Sequence, residues 1–393
     1  MTTGATDTQT LGQAVQAALR RGQLPEARRL LLELVQQGAA APADFLTLGH
    51  VARQLGDVGT ASAAIDRLLA VEPRNFRGLI LRGDLLSAAG DQRSASSFYV
   101  AALNVAPPAN QLALEAAQDL RRVQAIVQKN AADYQNFLLD RLAANGFDVR
   151  NSSTRFAQSV DVILGKKRVY LQEPKVYYFP GLPQIQFYGR EQFPWLTQLE
   201  RATDAIRQEL RAVMADPAAF SPYVTGDANR PRKDQAGMLN NPAWSAFYLW
   251  KNGEPVAANS ERCPATLAAL ESAPLARVQN RSPSILFSLL QPGAHIPPHN
   301  GLVNTRLICH LPLIVPGPCR FRVGNDVREW REGEAWVFDD TIEHEAWNTT
   351  RETRVILLFD IWRPELGDEE RRMVASLFGA IDAHAGKKPD WEI

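Results

Sequence analysis

Cysteine is scarce, and neither sign of charge prevails. The three cysteines, Cys263, Cys309 and Cys319, are too few for a disulfide framework and form no CxxC pair. That excludes disulfide-stapled scaffolds and cysteine zinc ribbons, and it points to a reducing cytoplasm. Lys plus Arg and Asp plus Glu are equal at 43 each, so the formal net charge is zero. No general field draws nucleic acid or an anionic membrane to the chain, and no nucleic-acid partner is expected. No apolar run approaches the ~20 residues that a membrane helix needs, and no membrane span is expected. The first ten residues lack the basic start and apolar core of a signal peptide. What remains is an ordinary globular composition over 393 residues, enough for two or three domains.

The first third repeats. Gly22, Gly56 and Gly90 lie 34 residues apart, and Ala27, Ala61 and Ala95 keep the same spacing, as do Pro73 and Pro107. Each glycine stands before a polar residue between two helical stretches. The glycine relieves the bend, and the alanine lets the two helices approach closely. A 34-residue helix–turn–helix period resembles the tetratricopeptide repeat, in about three copies over residues 9–107. Such arrays offer a concave groove for a peptide, with a second copy of the chain or simple capping of the next domain as alternative uses. Asn110 to Asn145 continues helical, with a stripe through Leu112, Leu114, Ala117, Leu120, Val123, Ile126 and Val127, and closes the array. The repeat domain with its capping helix is placed at 9–146. An irregular Ser/Asn-rich linker is expected over 147–169 and a second domain over 170–393.

In that second domain, Tyr170 to Pro183 is aromatic and Pro-rich and is expected to wrap as an extended arm. Leu199, Ala202, Ile206, Leu210 and Val213 mark one face of a helix. Tyr223 to Gln235 reads as a long polar loop, Trp244 to Trp250 as a strand, Cys263 to Leu275 as a short helix and Asp368 to Ala385 as a final helix. Between them lie four of the six histidines, His295, His299, His310 and His344. Five short β-rich segments surround these: Ile285 to Leu290, Arg306 to Leu311, Cys319 to Val323, Ala335 to Phe338 and Arg354 to Phe359. Short strands carrying histidines suggest an antiparallel barrel or jelly roll with a metal at its mouth.

His299 and His344 form the expected metal pair. His299 follows the rigid Ile296-Pro-Pro298 approach to a loop edge, and His344 directly follows an apolar strand. Imidazole suits iron, copper, zinc and nickel alike. A facial triad would place a carboxylate two residues past the first histidine, where this chain has Gly301. Alternation puts Asn304, Arg306, Ile308 and His310 on one strand face and Leu307, Cys309 and Leu311 on the other. The first of these faces would suit an anion. Arg354 opens a strongly apolar strand, and an arginine buried there needs a carboxylate partner, which a dicarboxylate co-substrate would supply.

Four motifs then occur in order. They are Gln291-Pro-Gly-Ala-His-Ile-Pro-Pro-His-Asn-Gly301, Asn304-Thr-Arg-Leu-Ile-Cys-His310, Glu332 through Trp347, and Phe359-Asp-Ile-Trp-Arg-Pro-Glu-Leu366. Together they resemble the aspartyl/asparaginyl β-hydroxylase family of iron(II)- and 2-oxoglutarate-dependent oxygenases on a double-stranded β-helix. The resemblance is dense over 240–366 and weaker over 170–240. It implies that His299 and His344 bind iron(II) without the usual carboxylate, which Gly301 agrees with. It implies that Arg354 and Ser288 hold the distal carboxylate of 2-oxoglutarate, that His310 lies beside its keto-acid end and that Trp244 walls the pocket. Arg306 joins the two histidines as a catalytic residue, Asn304 and Arg306 matching the family's Asn-x-Arg-x-x-x-His run. One departure is Ile308, where vertebrate members carry a second arginine; this puts the anionic substrate in doubt more than the reaction class.

The fold class expected is therefore α+β and multidomain: an all-α tetratricopeptide-type solenoid, then a double-stranded β-helix (jelly-roll, cupin-like) domain with flanking helices. The activity implied is hydroxylation of the β-carbon of an Asp- or Asn-type residue in a peptide or protein, docked by the repeats. The alternatives are a non-catalytic peptide-binding protein with a cupin-like domain, and a hydroxylase of a lipid acyl chain or a carrier-bound amino acid. A cupin enzyme without 2-oxoglutarate ranks low: His344-x-x-x-Asn348 fits a second cupin motif loosely, and no His-x-His opens the first.

Overall fold

The computed structural model describes residues 3–216, 218–226 and 237–385, and most of the polar loop expected from Tyr223 to Gln235 lies outside them. The chain divides into two compact units between Leu164 and Gly165.

Among its described residues the first unit is helical: α1 (Thr3–Arg20), α2 (Leu24–Gln36), α3 (Pro42–Gln54), α4 (Val58–Val71), α5 (Phe76–Ala88), α6 (Gln92–Val105), α7 (Leu114–Ala144) and α8 (Thr154–Ile163). The 34-residue landmarks are the joints of helix pairs. Gly22, Gly56 and Gly90 have φ of 68°, 73° and 88°, a left-handed backbone that a side chain would strain. The polar residue after the second and third is an N-cap: Asp57 accepts from the Thr60 N–H and Asp91 from the Ser94 N–H. Ala27, Ala61 and Ala95 are fully buried where the paired helices meet. Neighbouring pairs are tied through buried Asp84, which accepts from Arg53, Tyr99 and Arg122.

Two sequence expectations change here. Leu114, placed on the buried stripe of α7, is exposed, and Ala116 is buried with Leu120 and Val123 instead. Residues 147–169 are not uniformly irregular, because α8 lies among them. The Ser/Asn-rich composition belongs to the turn before α8, where Asp148 accepts from the Arg150 N–H and from Asn151. Phe147 then packs edge-on against Phe156 at 5.3 Å.

The second unit is built on two antiparallel sheets. Its strands are β1 (Ser221–Pro222), β2 (Trp244–Lys251), β3 (Glu254–Pro255), β4 (Ile285–Leu290), β5 (His295–His299), β6 (Arg306–Ile314), β7 (Cys319–Val323), β8 (Asp326–Glu329), β9 (Trp336–Phe338), β10 (His344–Asn348) and β11 (Arg354–Trp362). The larger sheet runs β1-β2-β4-β11-β6-β9, with β3 beside β2; the smaller runs β5-β10-β7-β8. Helices α9 (Leu196–Arg201) and α10 (Thr203–Met214) replace the single helix expected there. Their Leu199, Ile206, Leu210 and Val213 pack with Leu307, Cys309, Leu311 and Leu357 on one face of the larger sheet. A further short helix, α11 (Ala257–Ser260), precedes α12 (Pro264–Ala269), which is the short helix read within Cys263 to Leu275, and α13 (Asp368–Ala385) has the expected bounds.

The other face of the larger sheet meets the smaller sheet. Trp244, Leu290, Ile308, Phe338 and Ile356 pack there with Ile296, Cys319, Phe321, Val323 and Ala346. Alternation along β6 thus sends Ile308 and His310 between the sheets and Leu307 and Cys309 toward the helices. The extended arm bridges from Gln172 to Ile342 and from Tyr177 to Val303, and just past it Phe187 bridges to Phe338 of β9.

Candidate active site

The two expected metal residues close one antiparallel register. His299 ends β5 and His344 begins β10; the pair face each other across the ladder with ring centroids 4.1 Å apart. His299 was expected at a loop edge, and it stands instead at the end of a strand. β5 is the edge of its sheet, and its register with β10 is broken by a bulge between Ile296 and His299, so the ladder asks for no N–H from Pro297 or Pro298.

Each ring is oriented by a carbonyl two residues back. His299 Nδ1 lies 2.8 Å from the Pro297 carbonyl oxygen, and His344 Nδ1 lies 3.1 Å from that of Ile342. A carbonyl only accepts, so each Nδ1 carries the proton and donates it. Both Nε2 atoms keep their lone pairs, the state a metal requires. Burial reinforces this: it pushes the His299 pKa down to about 4 and holds His344 well below the ordinary imidazole range.

Among the described residues no cluster of three His, Cys, Asp or Glu side chains could hold a metal. The position two residues past His299 is sterically closed to a carboxylate. A Cβ on Gly301 would lie 2.1 Å from Asp340 Oδ2, and the Gly301 N–H donates to the Asp340 carbonyl at 2.6 Å. The arrangement fits an ion held by two imidazoles with its other positions left to small ligands.

The same cavity is lined by Arg354, Ser288, His310 and Trp244. Arg354 is 1% exposed, and no carboxylate among the described residues pairs with it. One Nη1–H donates to the Ser288 carbonyl at 3.3 Å, the Nε has no partner, and the guanidinium stands 4.5 Å from the centroid of the Trp330 ring. Burial pushes its pKa down to about 10. An unpaired buried guanidinium is costly, and a ligand carboxylate would relieve it. The Ser288 hydroxyl accepts from Trp244 Nε1 at 3.2 Å and keeps its own proton to donate. Buried His310 is held against Phe338 and Phe321, its Nδ1 has no partner, and burial, then the Arg354 charge, depresses its pKa well below the ordinary range.

Arg306 also lines the cavity, but its charge is matched within the protein. It pairs with Asp360, and its Nη2 lies 3.2 Å from Asp340 Oδ2. The face read as an anion-binding wall is therefore electrically closed at Arg306. Asn304 stands outside the cavity, bonding Gln172 and the backbone of Phe179. Sequence reasoning missed Trp330, Phe321 and Tyr223. Tyr223 stacks on Trp244 at 4.1 Å, although it opens the stretch read only as loop. Trp330 follows the half-polar Asp326-Val-Arg-Glu329, whose pattern gave no sign of an inward residue.

Residues 200–364 match the family model described as aspartyl/asparaginyl beta-hydroxylase. That span contains every expected site residue from Trp244 to Arg354. The ornithine lipid ester-linked acyl 2-hydroxylase of Rhizobium tropici is 36% identical over 220 residues, covering 55% of this chain and 72% of that protein. The chain belongs to the aspartyl/asparaginyl β-hydroxylase family. The human aspartyl/asparaginyl beta-hydroxylase is 34% identical over 180 residues, 46% of this chain and 22% of that protein. Aspartate beta-hydroxylase domain-containing protein 2 of Xenopus tropicalis is 30% identical over 215 residues, 54% of this chain and 56% of that protein. This chain thus spans between about a fifth and three-quarters of the length of these relatives. Membership in the β-hydroxylase family supports a hydroxylase-type oxygenase activity. No helix among the described residues is long and apolar enough to cross a membrane.

Proposed function

We propose that the second unit is an iron(II)- and 2-oxoglutarate-dependent dioxygenase on a double-stranded β-helix, and that it hydroxylates the β-carbon of an Asp or Asn residue in a peptide or protein. The observation that carries the reading is one cavity holding two neutral, carbonyl-oriented imidazoles and an unpaired buried arginine. His299 and His344 would hold the metal through Nε2. When bound, the iron supplies O2 activation coupled to decarboxylation of 2-oxoglutarate to succinate and CO2. The chain's residues supply the rest. Arg354 and the Ser288 hydroxyl receive the distal carboxylate, neutral His310 flanks the keto-acid end, and Trp244 on Tyr223 walls the pocket and keeps water out. Arg306, held by Asp340 and Asp360, acts as a fixed wall that positions the substrate.

The first unit is proposed as a tetratricopeptide-type solenoid over 9–146, joined through 147–169 to the oxygenase domain, with its groove docking the substrate peptide. Three buried free cysteines fit a cytoplasmic location.

One observation favours a second substrate, a lipid acyl chain. Ile308, Ile356 and Leu358 give the cavity apolar walls, Arg306 is neutralised, and the rhizobial relative is named as an acyl 2-hydroxylase. The two substrates are chemically close. The Asp β-carbon and acyl carbon 2 each sit beside a carbonyl carbon, so one C–H geometry would serve both. Incubating the iron-loaded protein with Asp- and Asn-containing peptides, and separately with ornithine lipid, decides between them by mass spectrometry. A gain of one oxygen on a peptide β-carbon supports the first reading; a gain on the acyl chain alone replaces it with the second.

A further inference from the structure

We infer that Trp330 is a positioning residue of the co-substrate site, holding the Arg354 guanidinium at the angle from which it receives a dicarboxylate. The inference rests on the reading of Arg354 given above and adds a residue to it. Arg354 enters the space between the sheets from the first position of β11, where nothing charged among the described residues opposes it. Its guanidinium is 4.5 Å from the centroid of the Trp330 ring. A desolvated cation over an indole face is attracted by the ring quadrupole, indole being the strongest of the aromatic faces. Attraction to the ring takes up no carboxylate-binding partner of the guanidinium, whose N–H donors stay available to a ligand.

Trp330 is itself rigid. It is 3% exposed, its backbone N–H donates to the Cys319 carbonyl at 3.2 Å, and its ring is flanked by Phe321 at 5.3 Å and Trp336 at 5.8 Å. Its ring also lies 6.0 Å from that of His310, so one fixed indole borders both residues expected around the co-substrate. Without it, a long arginine with a single 3.3 Å bond to the Ser288 carbonyl has little to hold it in place.

The test is anaerobic calorimetric titration of the full-length, Zn(II)-loaded protein with 2-oxoglutarate and with 2-oxopentanoate, which lacks the second carboxylate. Trp330→Met fills the space without a ring face, and Trp330→Phe keeps one. We expect Trp330→Met to weaken 2-oxoglutarate at least ten-fold, to leave 2-oxopentanoate and Zn(II) affinity within two-fold, and Trp330→Phe to restore 2-oxoglutarate to within three-fold of wild type. Equal weakening of both acids would mean a structural role and overturn the inference, as would an unchanged 2-oxoglutarate affinity in Trp330→Met. Should methionine leave the chain unfolded, Trp330→Leu takes its place under the same criteria. Absence of 2-oxoglutarate binding by the wild-type protein would instead remove the reading of Arg354, and the inference with it.

Discussion

At the scale of single residues, the site is a set of groups whose ordinary behaviour has been suppressed by burial. His299 and His344 stay neutral because a charged imidazole between two apolar layers loses its hydration, an effect that outweighs the bonds from each Nδ1 to a carbonyl, which by themselves favour the charged form. Two ordinary imidazoles of pKa ~6.5 would each be only about a tenth neutral at pH 5.5, and metal affinity would fall roughly 70-fold between pH 7 and 5.5. With His299 near 4 and His344 depressed in the same direction, protons compete with the metal only at lower pH. Zn(II) affinity is therefore expected to fall less than about ten-fold over that range, which titration at the two pH values checks. His344→Ala should abolish metal binding and turnover together. Arg354→Ala should raise the 2-oxoglutarate requirement at least ten-fold and leave metal affinity unchanged, so the two variants separate in a metal titration run beside a co-substrate titration.

At the scale of elements, the strands bring distant residues into register. The 45 residues between His299 and His344 vanish in the pairing of β5 with β10. Gly301 follows that pairing so closely that a side chain has no room. Gly301→Asp, which writes a facial-triad carboxylate into the sequence, should lower the melting temperature and gain no metal affinity, because its Cβ would overlap Asp340. Asp360→Ala should cost about 3–5 kcal/mol in denaturant unfolding, since it leaves the buried Arg306 short of a partner. Much of this was legible in the sequence. The 34-residue period marked the helix joints because left-handed glycines and their Asp caps are local requirements. The apolar strands β4, β6, β7 and β11 stood out by composition. The strands bearing the metal pair did not: β5 carries two prolines that only an edge strand tolerates, and β10 places Glu345 and Trp347 on the outer side of His344. Two other features depended on contacts between segments far apart in the chain. These are the neutralisation of Arg306 by Asp340 and Asp360, and the seat of Arg354 on Trp330.

At the scale of the whole molecule, two units with separate cores share one chain. Every residue assigned to metal or co-substrate lies in the second, and so does the whole family match. Residues 165–393 expressed alone are therefore expected to keep Zn(II) and 2-oxoglutarate affinity within about three-fold of the full chain, while a peptide substrate, if docked by the helical unit, loses affinity. Calorimetry on the two forms measures both. The central claim is that the cavity couples 2-oxoglutarate to hydroxylation, and its most direct test is succinate formation. The purified full-length protein would be given iron(II), ascorbate, O2 and 2-oxoglutarate, with Arg354→Ala and His344→Ala as controls. The account predicts succinate from wild type, none from His344→Ala, and recovery in Arg354→Ala only at raised 2-oxoglutarate. No succinate from a wild-type sample shown to hold iron would contradict it.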